Sequence, residues 1–194
     1  MLKKYWQVAS AERKQVEMLA AALELDVLLA RLLVLRGINT VEAARDFLFG
    51  TVESGQDPLQ MKDMDQAVAR TLQAIAKREQ IVVYWDYDVD GVTATTLLTR
   101  VLRHLGAWAE TYIPDRQEEG YGVHLEALRK LQQGGCSLVI TVDCGISAVK
   151  EAEAEGIPHL IITDHHEPGT TLPKAVAVLN PKRSDCSYPD KNLA

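Results

Sequence analysis

The chain has 194 residues, of which 47% are hydrophobic and 25% are charged, as in an ordinary globular protein. Residues 81–194 carry the entire net charge of −6, with 10 basic and 16 acidic side chains, because residues 1–80 hold 11 of each. A nucleic-acid-binding protein normally has a basic footprint, and this chain as a whole shows none. Three explanations are compatible with this charge. The substrate is small, or metal ions and a few arginines contact the phosphates of a nucleic acid, or the basic surface lies on sequence outside this chain.

The sequence contains no signal for a membrane or for secretion. No apolar stretch reaches the roughly 20 residues that span a bilayer, and residues 1–6 lack the apolar core of a signal peptide. Cys136, Cys144 and Cys186 form no CxxC pair and are odd in number, which favours free thiols in a reducing compartment. We therefore expect a cytoplasmic protein without membrane contact.

Residues 1–79 are predicted to form an N-terminal helical segment. The first half of this segment is rich in good helix formers, and Asp26 and Gly37 are placed to begin and end a second helix. Thr40 is the expected N-cap of a short third helix, and Asp63 is that of a fourth. Apolar residues spaced by three or four predict the buried face of this fourth helix: Met64, Val68, Leu72 and Ile75.

From residue 80 onward, predicted strands alternate with predicted helices. The expected strands are residues 81–85, 108–113, 138–142, 160–163 and 175–179. The expected helices are residues 92–105, one that contains 125–131, and 148–155. Continuous apolar strands separated by helices are typical of a parallel sheet that is covered on both faces. The pattern predicts an α/β fold, with a Rossmann-like, mainly parallel sheet and helices on both faces, in a domain of residues 80–194.

Acidic residues follow three of these predicted strands, and two histidines follow one of them. The groups are Asp86, Asp88 and Asp90 after the first strand, Asp143 after the third, and Asp164, His165 and His166 after the fourth. Because carboxyl ends of parallel strands meet at one edge, where ligands bind, the three groups are expected to lie close together. Mutually repelling carboxylates in one place favour a bound cation, and imidazole among oxygen ligands favours Mn²⁺ over Mg²⁺.

The segment DYDVDG at residues 86–91 has several interpretations. An EF-hand calcium loop matches six positions, but its twelfth position would be Leu97 instead of Glu, and the segment follows a strand. A phosphatase motif of the haloacid dehalogenase type also matches, but it gives no role to residues 164–166. Metal ligation by a βα turn uses the two-residue spacing of Asp88 and Asp90, which lets one carboxylate face each of two ions. A turn that only caps the next helix would need a single Asp.

Residues 113–124, with the sequence IPDRQEEGYGVH, follow the second predicted strand at the same edge. Arg116 can bind a phosphate through two hydrogen bonds. Gly120 and Gly122 permit close approach of the backbone, and Tyr121 offers a ring for base stacking. These residues predict a substrate loop; the alternative is an exposed, charged loop without a function.

Four segments in this order resemble the DHH phosphoesterase superfamily: DYDVDG at 86–91, IPDRQEEGYGVH at 113–124, TVDCGIS at 141–147 and TDHHEP at 163–168. The second segment resembles the RecJ-type single-strand-specific exonucleases of that superfamily. In other branches of the superfamily, the pyrophosphatases and the enzymes for short oligonucleotides, the first motif usually begins with His. This chain has Tyr84 at that position. The resemblance extends over most of the chain, roughly residues 25–194.

The resemblance implies a centre of two Mn²⁺ ions, with Mg²⁺ as the alternative ion. The implied metal ligands are Asp88, Asp90, Asp143 and His165, with Asp143 bridging the ions. His166 would act with these ligands in catalysis from the substrate side, and Asp86 and Asp164 would support them from behind. The implied substrate-binding residues are Arg116, Gly120, Tyr121, Gly122 and His166.

The resemblance also implies a function: a metal-dependent exonuclease that degrades single-stranded DNA 5′ to 3′ to mononucleotides in DNA repair and recombination. Its partners would be single-stranded DNA and a single-strand-binding protein or a helicase. The chain would be the front part of this enzyme, because the family expects a further Asp ligand and further domains downstream.

Two alternatives to the exonuclease stay open. One is a phosphodiesterase for short oligonucleotides or cyclic dinucleotides. The other is a catalytically degenerate member that binds single strands or a replication partner. Trp85 motivates the second alternative, because the family usually has Gly at this position. An indole there would narrow the site, redirect a substrate or pack under the sheet.

Overall fold

The computed structural model describes residue 5 and residues 7–51, 55–85, 88–114, 122–191 and 193. The chain divides into two compact units, residues 1–55 and 56–194. The predicted boundary at residues 79 and 80 lies within the second unit, so the assignment of 80–194 as a separate domain stays a proposal. In the described part of the chain, no helix is both long enough and apolar enough to cross a bilayer.

The described part of the first unit contains three helices: α1 (Arg13–Leu23), α2 (Val27–Leu35) and α3 (Val41–Phe49). The two caps predicted here are confirmed. The Asp26 carboxylate accepts a hydrogen bond from the backbone N–H of Leu28 (2.7 Å), and the Thr40 hydroxyl accepts one from Ala43 (3.2 Å). Each bond satisfies an N–H group that has no partner within the first helical turn. Five buried residues form the core of this unit: Val16, Leu19, Ala30, Leu33 and Ala44.

Helix α4 (Met64–Ala76) buries only part of the predicted face, because Met64 and Ile75 pack against the core but the two predicted residues between them do not. Val68 and Leu72 are 43% and 55% exposed, whereas Ala67 and Ala74 are buried. The prediction that Val68 and Leu72 belong to the buried face is therefore wrong. Small alanine side chains let the helix backbone approach the sheet closely. The spacing of hydrophobic residues does not account for side-chain size, so it does not predict this approach.

Asp63 occupies the N-cap position of α4, but its side chain makes no capping hydrogen bond. The carboxylate instead accepts hydrogen bonds from the backbone N–H of Val178 (3.3 Å) and from the guanidinium of Arg183. The carboxylate of Asp63 thus forms an ion pair with Arg183 and a hydrogen bond with Val178, in place of the predicted capping hydrogen bond within α4.

Among the described residues, five parallel strands form one sheet in the order β2-β1-β3-β4-β5. Their bounds are β1 (Gln80–Trp85), β2 (Trp108–Tyr112), β3 (Cys136–Val142), β4 (His159–Thr163) and β5 (Ala177–Leu179). Trp85 pairs with Val142, and Val142 pairs with Thr163, so the carboxyl ends of β1, β3 and β4 are level. The predicted α/β fold with a parallel sheet is confirmed. The strand order reverses between β1 and β3, and ligands bind beside such a reversal.

Helices cover both faces of the sheet, as predicted. They are α5 (Val89–His104), α6 (Leu125–Gln133) and α7 (Val149–Ala152), besides α4. Alternate residues of β1 point to opposite faces: Ile81 and Val83 share a core with α4 and α5, and Val82 and Tyr84 share one with α6. Helix α5 begins earlier than predicted because Asp88 caps it. Helix α7 is shorter than the predicted 148–155.

Candidate metal centre

The loop after β3 presents Asp143 at the carboxyl edge of the sheet. Asp143 has a left-handed backbone conformation, with φ of 58°, which turns the chain sharply at the end of the strand. The Thr141 hydroxyl donates to the carbonyl of Cys144 (2.8 Å) and fixes this turn. A Cβ atom on Gly145, whose φ is 108°, would lie 2.9 Å from Thr141 Oγ1 and 3.3 Å from Ile162 Cγ2. The turn therefore requires glycine at position 145.

Asp164 follows β4 and orients the two histidines after it. Its side chain is almost fully buried, and one oxygen accepts hydrogen bonds from the backbone N–H groups of His165 (2.7 Å) and His166 (3.0 Å). The same oxygen lies 2.8 Å from His166 Nδ1. The other oxygen accepts from the N–H of Ile146 in the loop after β3 (2.9 Å). One buried carboxylate thus fixes the loops after β3 and β4 to each other.

Asp143, His165 and His166 form a compact set of potential metal ligands. His165 Nε2 lies 2.8 Å from Asp143 Oδ1, and the rings of the two histidines are 4.7 Å apart between centroids. One ligand atom from each of the three residues lies within 4.8 Å of the others. A carboxylate with two imidazoles fits a divalent transition-metal ion such as Mn²⁺.

Asp88 and Asp143 interact through their charges. The backbone N–H of Gly91 donates to the Asp88 carboxylate (3.0 Å), which holds the pKa of Asp88 below its usual value. Burial raises the pKa of Asp143, and the negative charge of Asp88 raises it further, although the hydrogen bond to His165 opposes both effects. Two carboxylates held against their mutual repulsion are the environment that a bound cation stabilises.

A cavity of about 530 Å³ opens beside these residues, within the second unit. Its polar side is lined by Asp90, Asp143, Asp164 and His165. Its apolar side includes Met61, Met64, Ala94, Leu97, Leu179 and Pro181. No sequence pattern indicates this apolar wall, because its residues come from separate segments that only the fold brings together.

Six of the predicted site residues lie at the same edge of the sheet: Asp88, Asp90, Asp143, Asp164, His165 and His166. Asp86, Arg116, Gly120 and Tyr121 lie outside the described residues, so their predicted roles stay predictions. The carbonyl of Gly122 accepts a hydrogen bond from the hydroxyl of Tyr84 (3.0 Å), which fixes the downstream end of the predicted substrate loop.

Asn180 was not recognised from the sequence. It is fully buried, and its Nδ2 donates to the backbone carbonyl of His166 (2.9 Å). Its Oδ1 accepts from the N–H of Lys182 (2.8 Å). The only sequence signal is a polar residue between the strand β5 and a proline, which is also an ordinary turn signal.

Trp85 packs in the core under the sheet. Its side chain is 6% exposed and shares a core with Leu102 and Ala109, and it is not among the described residues that line the cavity. Of the three roles considered for this indole, the structure supports packing.

Replacing Trp85 with Ala is expected to lower the free energy of unfolding by about 3 kcal/mol, because the lost indole leaves a cavity. Trp85→Phe should lose only about 1 kcal/mol, since the indole N–H has no hydrogen-bond partner among the described residues. Urea denaturation of both variants measures the difference. Equal losses in the two variants would contradict the packing role.

The parallel sheet, with carboxylates and imidazoles at its carboxyl edge, defines an α/β protein with a candidate metal centre. Residues 80–191 match the family model described as DHH family, N-terminal domain. The chain belongs to the DHH family.

The chain is similar to the first part of longer proteins. The single-stranded-DNA-specific exonuclease RecJ of Bacillus subtilis strain 168 is 45% identical over 192 residues, which are 97% of this chain and 24% of that protein. The protein of the same description from Escherichia coli K12 is 38% identical over 175 residues, 88% of this chain and 30% of that protein. The chain thus spans less than a third of the length of these two relatives.

Two solved structures share the fold. A crystal structure of exonuclease RecJ bound to manganese has a TM-score of 0.61 and 36% identity, and the match covers 68% of this chain and 34% of that chain. RecJ of Thermus thermophilus in complex with Mn²⁺ also has a TM-score of 0.61, with 28% identity over 93% of this chain and 25% of that chain.

Proposed function

We propose that the chain is the N-terminal part of a metal-dependent exonuclease that degrades single-stranded DNA 5′ to 3′ to mononucleotides. The observation that carries this proposal is the convergence of Asp143, His165 and His166 within 4.8 Å at the carboxyl edge of the sheet. The similarity to RecJ proteins over 97% and 88% of this chain supports the same activity.

The donor set fits two Mn²⁺ ions, with Mg²⁺ as the alternative. Asp88, Asp90, Asp143 and His165 would hold them, and oxygen and imidazole donors suit Mn²⁺. The bound ions would supply the positive charge that phosphodiester hydrolysis requires in the transition state. RecJ structures that contain manganese support this choice of ion.

The surrounding residues would position the ligands and the DNA. Asp164 holds the backbone of His165 and His166 in place through short hydrogen bonds. The His166 ring is about half exposed and is oriented by its contact with Asp164, so it can reach a phosphate on the substrate side. We assign Asp86 to support of the ligands, and residues 116 and 120–122 to binding of the DNA backbone.

The cell compartment and the partners are part of the same proposal. The three cysteines are buried thiols, which favours a reducing cytoplasm. Burial raises the pKa of Cys136 to about 11, so this thiol stays protonated and unreactive. Roles in DNA repair and recombination, with a single-strand-binding protein or a helicase as a partner, would follow from single-strand degradation.

The activity is tested with 5′-phosphorylated single-stranded DNA and Mn²⁺, by measuring released mononucleotides. A form extended to the full length of the relatives is expected to release them, and EDTA is expected to stop the release. The 194-residue chain should bind Mn²⁺ but release far less, because it spans about a quarter of such proteins. If the extended form binds Mn²⁺ but degrades only short oligonucleotides or cyclic dinucleotides, the phosphodiesterase alternative is correct instead.

A further inference from the structure

The outer side of helix α5 exposes an apolar stripe. Leu97, Val101 and Leu105 are 68%, 46% and 55% exposed, and their spacing of four residues places them along one side of the helix. Val92 is 44% exposed and lies about 180° around the helix from Val101. Together with Val92, the three stripe residues line a shallow groove of about 850 Å³, and all of its described lining residues belong to α5 or to its C-cap residue, Leu105. The stripe from Leu97 to Leu105 covers about 12 Å, at 1.5 Å per residue. A surface with this many exposed aliphatic side chains is typical of an interaction site.

Two threonines extend the apolar character of the groove. The Thr93 hydroxyl donates to the carbonyl of Val89 (2.9 Å), and the Thr96 hydroxyl donates to that of Val92 (2.8 Å). Because both hydroxyls are bonded within the helix, these side chains offer mainly their methyl groups to a partner.

The groove is also basic. Arg100, Arg103 and His104 line it, and none of the described residues that line it is acidic. The Arg103 side chain is held in place by a hydrogen bond from Nε to the carbonyl of Ala109 (2.9 Å). Residues 81–194 carry the whole net charge of −6, so this basic site contrasts with an acidic background. Arg103 and His104 also complement the helix dipole in the last turn, but Arg100 lies before that turn.

We propose that this groove docks an acidic amphipathic helix of a partner protein. Apolar side chains of the partner at every third or fourth position would contact Leu97, Val101 and Leu105, as in helix-in-groove recognition. Its acidic side chains would pair with Arg100 and Arg103. The apolar residues described in this lining are all aliphatic, so they offer no aromatic ring for stacking nucleic-acid bases. Docking of a helix is a different function from metal binding, although Thr93 and Leu97 also line the cavity beside the metal centre.

The probe is a fluorescein-labelled synthetic peptide of about 18 residues, long enough to cover the groove as a helix. It carries Leu on one helical face and Glu on the flanks. Fluorescence anisotropy with the form extended to the full length of the relatives should give a Kd of about 10–100 µM. Arg100→Glu should weaken binding at least about tenfold, by reversing a charge in the groove. Lys130→Glu, at an exposed residue of α6 on the other face of the sheet, should change binding less than about twofold.

Four results would overturn the proposal. The first is no saturable binding of the peptide, and the second is equal binding of a scrambled peptide of the same composition. The third is that oligo(dT) displaces the peptide and that the Arg100→Glu variant binds oligo(dT) more weakly. This result would show that the groove binds nucleic acid. The fourth is a dimer in sedimentation that Val101→Ser abolishes, which would make it a contact between two copies. Circular dichroism of each variant confirms that it is folded.

Discussion

Replacing Asp143 with Asn is expected to weaken Mn²⁺ binding at least about 100-fold, a loss of about 2.7 kcal/mol. Asp143 is the only carboxylate in the compact set with His165 and His166, and it also interacts with Asp88. An amide loses the negative charge that attracts the ion. Asn tolerates the left-handed backbone at this position, so the turn after β3 should keep its shape.

Calorimetric titration with Mn²⁺ measures this loss, and Glu155→Gln, at an exposed residue, is the control. Without metal, the free energy of unfolding of Asp143→Asn should not decrease, because the substitution removes a buried charge that Asp88 repels. Unchanged Mn²⁺ affinity would show that the ion binds elsewhere. The sequence further predicts a smaller loss for Asp86→Ala than for Asp143→Ala, since only Asp143 is placed to bridge two ions.

Replacing Asp164 with Ala is expected to lower the free energy of unfolding by about 4–5 kcal/mol, because its buried carboxylate accepts hydrogen bonds from several backbone N–H groups. The donors are the N–H groups of Ile146, His165 and His166. Removal of the carboxylate leaves these donors without an acceptor, at a cost of roughly 1–3 kcal/mol for each donor. The loops after β3 and β4 would then no longer be joined.

Asp164→Asn should lose about 2 kcal/mol, because one oxygen stays an acceptor while the amide group faces the N–H of Ile146. Asp65→Ala, an exposed acidic residue in the first turn of α4, should lose less than about 1 kcal/mol. Urea denaturation without metal gives the three values. An Asp164→Ala loss as small as that of Asp65→Ala would show that the carboxylate does not hold the two loops together.

Local sequence predicted where most helices and strands lie and how they connect. Continuous apolar runs mark β1, β3 and β4, because strands buried on both faces need them. Parallel connections then force the carboxyl ends to one edge, so the placement of Asp88, Asp143 and Asp164 at that edge followed from the order of elements. Helix α5 begins three residues before its predicted start, at Val89 instead of residue 92. The two-residue spacing of Asp88 and Asp90 favours Asp88 as a metal ligand. Only the structure shows that the Asp88 carboxylate also accepts a capping hydrogen bond from the N–H of Gly91.

Features that depend on packing could not be predicted in the same way. Hydrophobic spacing shows which residues share a helix face, but it does not show which face meets the sheet. Val68 and Leu72 are therefore exposed while Ala67 and Ala74 are buried. For the same reason, the exposed stripe on α5 was not recognised from the sequence.

The sequence by itself determined the α/β class, the sheet edge that carries the candidate site and most of its polar residues. These follow from local apolar patterns and chain connectivity, which act over short distances along the chain. Only the tertiary structure decided the partners of the side chains: Asp63 with Arg183, Asp164 with the N–H of Ile146, and Trp85 with the core. Such contacts join residues far apart in sequence, and competition among possible partners in three dimensions selects them.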